Sequence, residues 1–133
     1  RGSIDVIVSS HDPQAPENKR LPFSEATPGT VGLETMLAAV LEQVHAGNVD
    51  LMTALKSMTQ TPADILGLSS GKLAAEAPAD FIIFDPDEPI QVDSASLKSK
   101  SKNTPFDGRR LQGRVLRTVV GGQSVYDAEL TDA

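Results

Sequence analysis

The apolar residues of this chain change from helical to strand-like spacing near Ser69 to Gly71, and that change restricts the fold more than any other feature. Before it, Leu33, Met36, Leu37, Val40, Leu41 and Val44 recur at helical intervals, with Glu34, Glu42 and Gln43 opposite. That is the stripe of an amphipathic helix. After it, Phe81-Ile82-Ile83-Phe84, Ile90 to Val92 and Val115 to Val120 are compact apolar runs suited to strands. Gly121-Gly122, between the last run and Ser124 to Tyr126, predicts a two-residue hairpin turn. Residues 1–68 are therefore expected to be α/β and residues 69–133 β-rich, two layers of different kind.

Finer signals divide the first part. His45 and Gly47 are ordinary stop signals for the helix that starts at Leu33. Asp50 is placed to cap a second helix carrying Leu51, Leu55 and Met58. Thr61-Pro62-Ala63-Asp64 reads as the N-cap, N1 proline and acidic N3 of a third, ending at Gly67. Ahead of these, Ile4 to Val8 has the β-branched character of a buried strand, and it runs into Ser9-Ser10-His11-Asp12-Pro13-Gln14. Residues 12–30 carry Pro13, Pro16, Pro22, Pro28 and Gly29 among charged residues, which predicts a long irregular loop, functional or disordered. Polar groups just beyond the C-terminal end of a buried strand sit where α/β barrels do their chemistry.

Composition excludes several roles. A net charge of −6 argues against general affinity for nucleic acid or anionic membrane. With no cysteine there is neither a disulfide framework nor a thiolate zinc site. No apolar run approaches a membrane span, and Arg1-Gly2-Ser3 leads into a strand rather than a cleavable apolar helix, so a cytoplasmic location is expected. Seven of the twelve basic residues fall between Lys98 and Arg117, with only Phe106 as a stacking aromatic. That pattern suits a loop packed on an acidic neighbour, in the same protein or on a partner subunit, better than a nucleic-acid surface.

Read alone, the candidate residues keep two roles each. His11 is either a loop histidine or a contact to metal or substrate. Asp12 before Pro13 is either an Asx turn residue or a catalytic carboxylate. Glu34 is expected to favour the helix dipole, and His45 to end its helix rather than bind a ligand.

Ser9 to Gln14, Gly29-Thr30-Val31-Gly32-Leu33-Glu34-Thr35, and Ser99-Lys100-Ser101-Lys102-Asn103-Thr104-Pro105-Phe106 followed by Gly108 together resemble the C-terminal third of the dihydroorotases. These belong to the amidohydrolase superfamily, and the likeness is strongest to the shorter-loop group of bacteria such as the alphaproteobacteria. Gly71-Lys72-Leu73 through Ala79-Asp80-Phe81 is similar to a strand entry shared by many amidohydrolases, with Glu76 where a glycine is usual, which implies strain at Glu76 if that turn takes a positive φ. The resemblance implies the end of a (β/α)8 metal-dependent hydrolase barrel in residues 1–68, and part of an accessory β-sandwich in residues 69–133. It also implies zinc in the parent protein, on a His-x-His pair, further histidines and in some members a carbamylated lysine, all upstream of this chain. No metal ligand is assigned within the chain itself.

At the strand end the family pattern is Thr-Asp-His-Ala-Pro-His. Aligned on the shared proline, its aspartate falls at Ser10, its alanine at Asp12 and its last histidine at Gln14. A serine hydroxyl neither neutralises a cation as a carboxylate does nor takes a proton readily near pH 7. Asp12 is then the catalytic candidate, with Gln14, Pro28 and Gly29 as substrate-binding candidates. The implied reaction is the reversible cyclisation of N-carbamoyl-L-aspartate to L-dihydroorotate. The alternative is a silent homologue that scaffolds aspartate carbamoyltransferase, and a third reading is a sibling cyclic amidase such as an allantoinase or hydantoinase. The 133-residue piece alone is expected to be inactive, and its uncovered apolar surface to self-associate or stay with the rest of the barrel.

Overall fold

The computed structural model describes residues 4–131, so Arg1-Gly2-Ser3 lies outside it. Its centre is a three-stranded antiparallel sheet in the order β1-β2-β3, with β1 Phe81–Gln91, β2 Arg110–Val120 and β3 Gln123–Asp127. The expected hairpin forms: Thr118 faces Tyr126 and Val120 faces Gln123 across a Gly121-Gly122 turn with φ of 56° and 78°. Both values are positive, as a type I′ connection needs.

The two apolar runs expected as separate strands are one strand with an outward bulge. Asp85 faces Arg114 and Pro89 faces Gln112, which leaves Pro86, Asp87 and Glu88 outside the regular ladder. The Asp85 carboxylate turns the chain there by accepting the backbone N–H groups of Asp87 at 2.9 Å and Glu88 at 3.2 Å. A bulge tolerates the prolines that a regular central strand would not.

Helix α1, Pro16–Lys19, lies within the proline-rich segment, so that segment is less irregular than expected. Helix α2, Met36–His45, matches the apolar stripe but starts three residues later than Leu33, which is exposed. It buries Ala38, Val40 and Leu41. Ala38, Val92 and Leu111 make one core cluster, with Ile90 and Phe106 packed beside it. The approach of α2 to β2 is close enough that a Cβ on Gly113 would lie 2.3 Å from Leu41 Cδ1, and Gly113 has φ of 112°. Space and backbone conformation both demand glycine there.

Helix α3, Leu51–Met58, is capped by Asp50, whose carboxylate accepts the Thr53 backbone N–H at 2.9 Å. Helix α4, Gln60–Ile65, begins before the expected Thr61 cap, because Thr59 ends α3 and starts α4 with no room for a separate linker. Pro62 then falls at the third helical position, where its missing N–H still costs no intrahelical bond. A short helix α5, Ala128–Thr131, follows β3. Glu76 has φ of 65°, the strained conformation expected of it.

The strand expected over Ile4 to Val8 is not formed. Among the described residues its backbone is held by a single bond, from Ile7 N–H to the Ser57 carbonyl at 3.0 Å. Ile4 and Val8 are 70% and 67% exposed. A buried parallel strand needs neighbours on both edges, and this segment has neither here. No helix of the described residues is long and apolar enough to cross a membrane.

Two outcomes follow from these contacts. Gly113→Ala should destabilise the parent protein by about 1–3 kcal/mol in denaturant titrations, because Leu41 is fully buried and has nowhere to go. Asp50 is held below its ordinary pKa of 3.8 by hydrogen bonds from the Thr53 hydroxyl and amide. A depressed carboxylate stabilises the fold above its unfolded pKa and loses that stabilisation as pH falls through the folded value. Asp50→Asn, which keeps the cap but not its charge, should have a slightly lower Tm than wild type at pH 7 and show a smaller loss of Tm in acid.

Candidate functional site

The segment from Ser9 to Val31 leaves the body of the protein and returns alongside itself. His11 and Thr30 pair in a parallel bridge, and Asp12 donates its backbone N–H to the Thr30 carbonyl at 2.9 Å. The excursion between them is knitted closed by the Asn18 carbonyl, which accepts the Thr27 N–H at 3.1 Å. The Lys19 ammonium also donates to the carbonyls of Thr27 at 2.8 Å and Gly29 at 3.1 Å. Proline fixes the turns and these polar contacts close the loop, so the segment is ordered.

The loop faces residues 97–105, and Asn103 is the joint. Its side-chain oxygen accepts the Gln14 N–H at 3.1 Å, and its side-chain nitrogen donates to the Gly29 carbonyl at 3.0 Å. Its main-chain oxygen accepts the Val31 N–H at 2.9 Å and the Thr30 hydroxyl at 2.7 Å. Beside it, the Glu34 carboxylate accepts the backbone N–H groups of Lys98 and Ser99, at 2.8 Å for the shortest. Glu34 thus serves residues 98–99 across the gap, not the dipole of α2 as expected, because α2 begins only at Met36.

An open cleft of about 580 Å³ lies along this joint, lined by Ser10, Lys19, Gly29, Thr30, Asn103, Thr104 and Pro105. Ser10, on its rim, has φ of 45°, an uncommon backbone state for a residue with a Cβ. Of the expected substrate contacts, Gly29 lies on the cleft wall. Gln14 sits behind it, with its amide nitrogen 2.9 Å from the Asp12 carboxylate. Pro28 is exposed beside Gly29. Asp12 is exposed and packs so close to Gly29 that a Cβ there would lie 2.5 Å from the Asp12 carbonyl oxygen and 2.7 Å from its carboxylate. The structure therefore brings Ser10, Asp12, Gln14 and Gly29 together.

His11 is turned inward. Its Nδ1 accepts the backbone N–H groups of Gly32 at 3.2 Å and Leu33 at 3.4 Å. A neutral imidazole that accepts at Nδ1 carries its proton on Nε2, where it donates a hydrogen bond but offers no lone pair to a metal. Among the described residues, no three His, Cys, Asp or Glu side chains gather to hold an ion. The described residues by themselves therefore gather no cluster that would hold a metal.

Three of the seven basic residues of the cluster pair within the protein. Arg109 pairs with Glu42 at 2.7 Å, Arg114 with Glu88 at 2.7 Å and Arg117 with Asp127 at 2.6 Å. Arg109 also lies over the Phe106 ring, 5.4 Å from its centre. His45 meets Asp87 at 3.2 Å. Asn103, Lys19 and Thr30 were not singled out as site residues by sequence. Asn103 stands inside the conspicuous Ser99 to Phe106 run, but nothing local to it identifies partners 74 to 89 residues away.

Residues 18–125 match the model of the amidohydrolase family. A dihydroorotase of Anaplasma phagocytophilum is 46% identical over 96% of this chain and 29% of its own length. One of Citrifermentans bemidjiense is 46% identical over 96% of the chain and 30% of its own. The chain thus spans under a third of the curated relatives it matches. An L-hydantoinase (dihydropyrimidinase) from Arthrobacter aurescens superposes with a TM-score of 0.87 at 32% identity, over 95% of this chain and 29% of that one.

Gly29→Ala should displace the Asp12 carboxylate and lower stability by about 1–3 kcal/mol, since the new methyl meets backbone as well as side chain at a φ of 114°. A crystal structure of that variant with Asp12 and Gly29 unmoved would contradict the packing described.

Proposed function

Since this chain belongs to the amidohydrolase family, we propose that it is the C-terminal segment of a dihydroorotase. Its first 68 residues would complete a (β/α)8 barrel, and residues 69–133 an accessory β-sandwich. What carries the reading is that curated dihydroorotases cover nearly the whole chain at close to half identity. The substrate pair is L-dihydroorotate and N-carbamoyl-L-aspartate, and the setting is pyrimidine synthesis in the cytoplasm. The family's metal, zinc in this proposal, would take its ligands from the rest of the parent polypeptide; among the described residues no ligand cluster gathers. The metal's contribution is to activate water and polarise the amide.

In the hydrolytic direction water adds to the ring carbonyl carbon, the C–N bond breaks, and the ring nitrogen gains a proton. Asp12 is assigned to carry that proton, because Ser10 holds a hydroxyl where relatives carry an acid and Asp12 is the nearest carboxylate in sequence. The Gln14 amide hydrogen-bonds the Asp12 carboxylate and holds its orientation. Gln14, Pro28 and Gly29 are assigned to the substrate ring, with backbone able to approach closely where no Cβ intervenes.

The loss of the family carboxylate at Ser10 supports a second reading, a silent homologue that binds and scaffolds aspartate carbamoyltransferase. Assay of the purified parent protein with both substrates, together with its zinc content, separates the two. The enzyme reading expects turnover that falls about 10²–10⁴-fold in Asp12→Asn and changes little in Ser10→Ala. A metal-free, inert parent that co-purifies with the carbamoyltransferase would favour the scaffold. Hydantoin and allantoin in the same panel test for a sibling amidase. The 133-residue piece alone should turn over none of them.

A further inference from the structure

We propose that Asn103 is a positioning residue, the tether that sets where the Gly29 backbone on the cleft wall and the Gln14 backbone behind it stand. The inference rests on the reading above, in which Gly29 and Gln14 meet the substrate ring, and goes beyond it by assigning their placement to a loop more than seventy residues away.

The geometry is that of a clamp with two jaws. One amide side chain reaches both arms of the loop, accepting from Gln14 N–H on the outgoing arm at 3.1 Å and donating to the Gly29 carbonyl on the returning arm at 3.0 Å. A primary amide is the group that does both at once, since it offers an acceptor oxygen and a donor nitrogen a fixed distance apart. The main-chain oxygen of the same residue takes the Val31 N–H and the Thr30 hydroxyl. Four hydrogen bonds from one residue therefore converge on positions 14 and 29–31.

The Gly29 carbonyl receives a second donor, the Lys19 ammonium at 3.1 Å. With its oxygen bonded from two sides, the planar Gly29–Thr30 peptide has a set orientation. Gly29 has φ of 114° and no Cβ, so its own backbone offers little resistance to swinging. Asn103 supplies that resistance from outside the loop, beside the Lys19 bond from within it. Asn103 itself lines the cleft beside Thr104 and Pro105, so the tether and the surface it positions belong to one wall.

Small displacements of groups that hold a substrate weaken binding before they alter bond making, when the catalytic carboxylate stays in place. Asn103→Ala in the full-length protein should raise KM for dihydroorotate roughly tenfold while kcat falls less than about threefold. Amide hydrogen exchange across residues 12–30 should quicken by a similar factor. Asn103→Ser is the second variant, polar and small, for use if alanine prevents folding, and the same split is expected of it. A folded variant with wild-type KM, or one whose kcat falls in step with Tm at constant KM, overturns the proposal. Should the wild-type protein turn over no substrate, the functional reading fails and exchange alone decides. Faster exchange over residues 12–30 then supports the tether, and unchanged exchange overturns it.

Discussion

The meeting of Leu41 with the bare backbone of Gly113 sets the distance between helix and sheet, and the remaining contacts follow from that distance. Leu41 is fully buried, and a leucine removed from water contributes about 1.5–3 kcal/mol. That gain is available only where no Cβ intrudes. Once α2 is seated, its N-terminal approach, Gly29 to Thr35, is carried alongside residues 97–105. Val31, completely enclosed, gives its N–H to Asn103, and Glu34 reaches Lys98 and Ser99. The cleft is thus a by-product of a packing decision made one helix length away.

Polar contacts then refine what packing has placed. The ion pairs of Arg109, Arg114 and Arg117 are partly exposed, and such pairs contribute roughly 0–1 kcal/mol each. They do not hold the fold. Their effect is to engage three members of a run of positive charge within an acidic chain. The bonds around Asn103 and Glu34 differ in kind, because each joins segments more than sixty residues apart and leaves a backbone group in a definite orientation.

Much of this was legible in the residues. The helical stripe from Met36 to Val44, the Asp50 cap and the Gly121-Gly122 turn depend on neighbours within a few positions, and those neighbours are visible in sequence, while the strained Glu76 was legible through the family motif around it. The failures share a different cause. Ile4 to Val8 has strand character, but a strand is a relation between segments and the necessary partners do not flank it here. Pro86 and Pro89 look like strand breaks, yet the Asp85 carboxylate turns them into a bulge inside one strand. In the site, the crowding of Ser10, Asp12, Gln14 and Gly29 was foreseeable from their loop and the family resemblance. Asn103 was not, since its significance lies wholly in distant partners.

The outer margin of β1 has a consequence of its own. Among the described residues the sheet stops at this strand, so one row of its amides and carbonyls lacks a ladder partner, and Phe81, Ile82 and Ile83 along it are 37–47% exposed. A rim combining unmet backbone valence with oily side chains is a template on which another extended segment adds by simple continuation of the ladder. Whatever polypeptide first lies against that rim inherits its alignment from β1, and the three strands seen here then become the seed of a wider sheet.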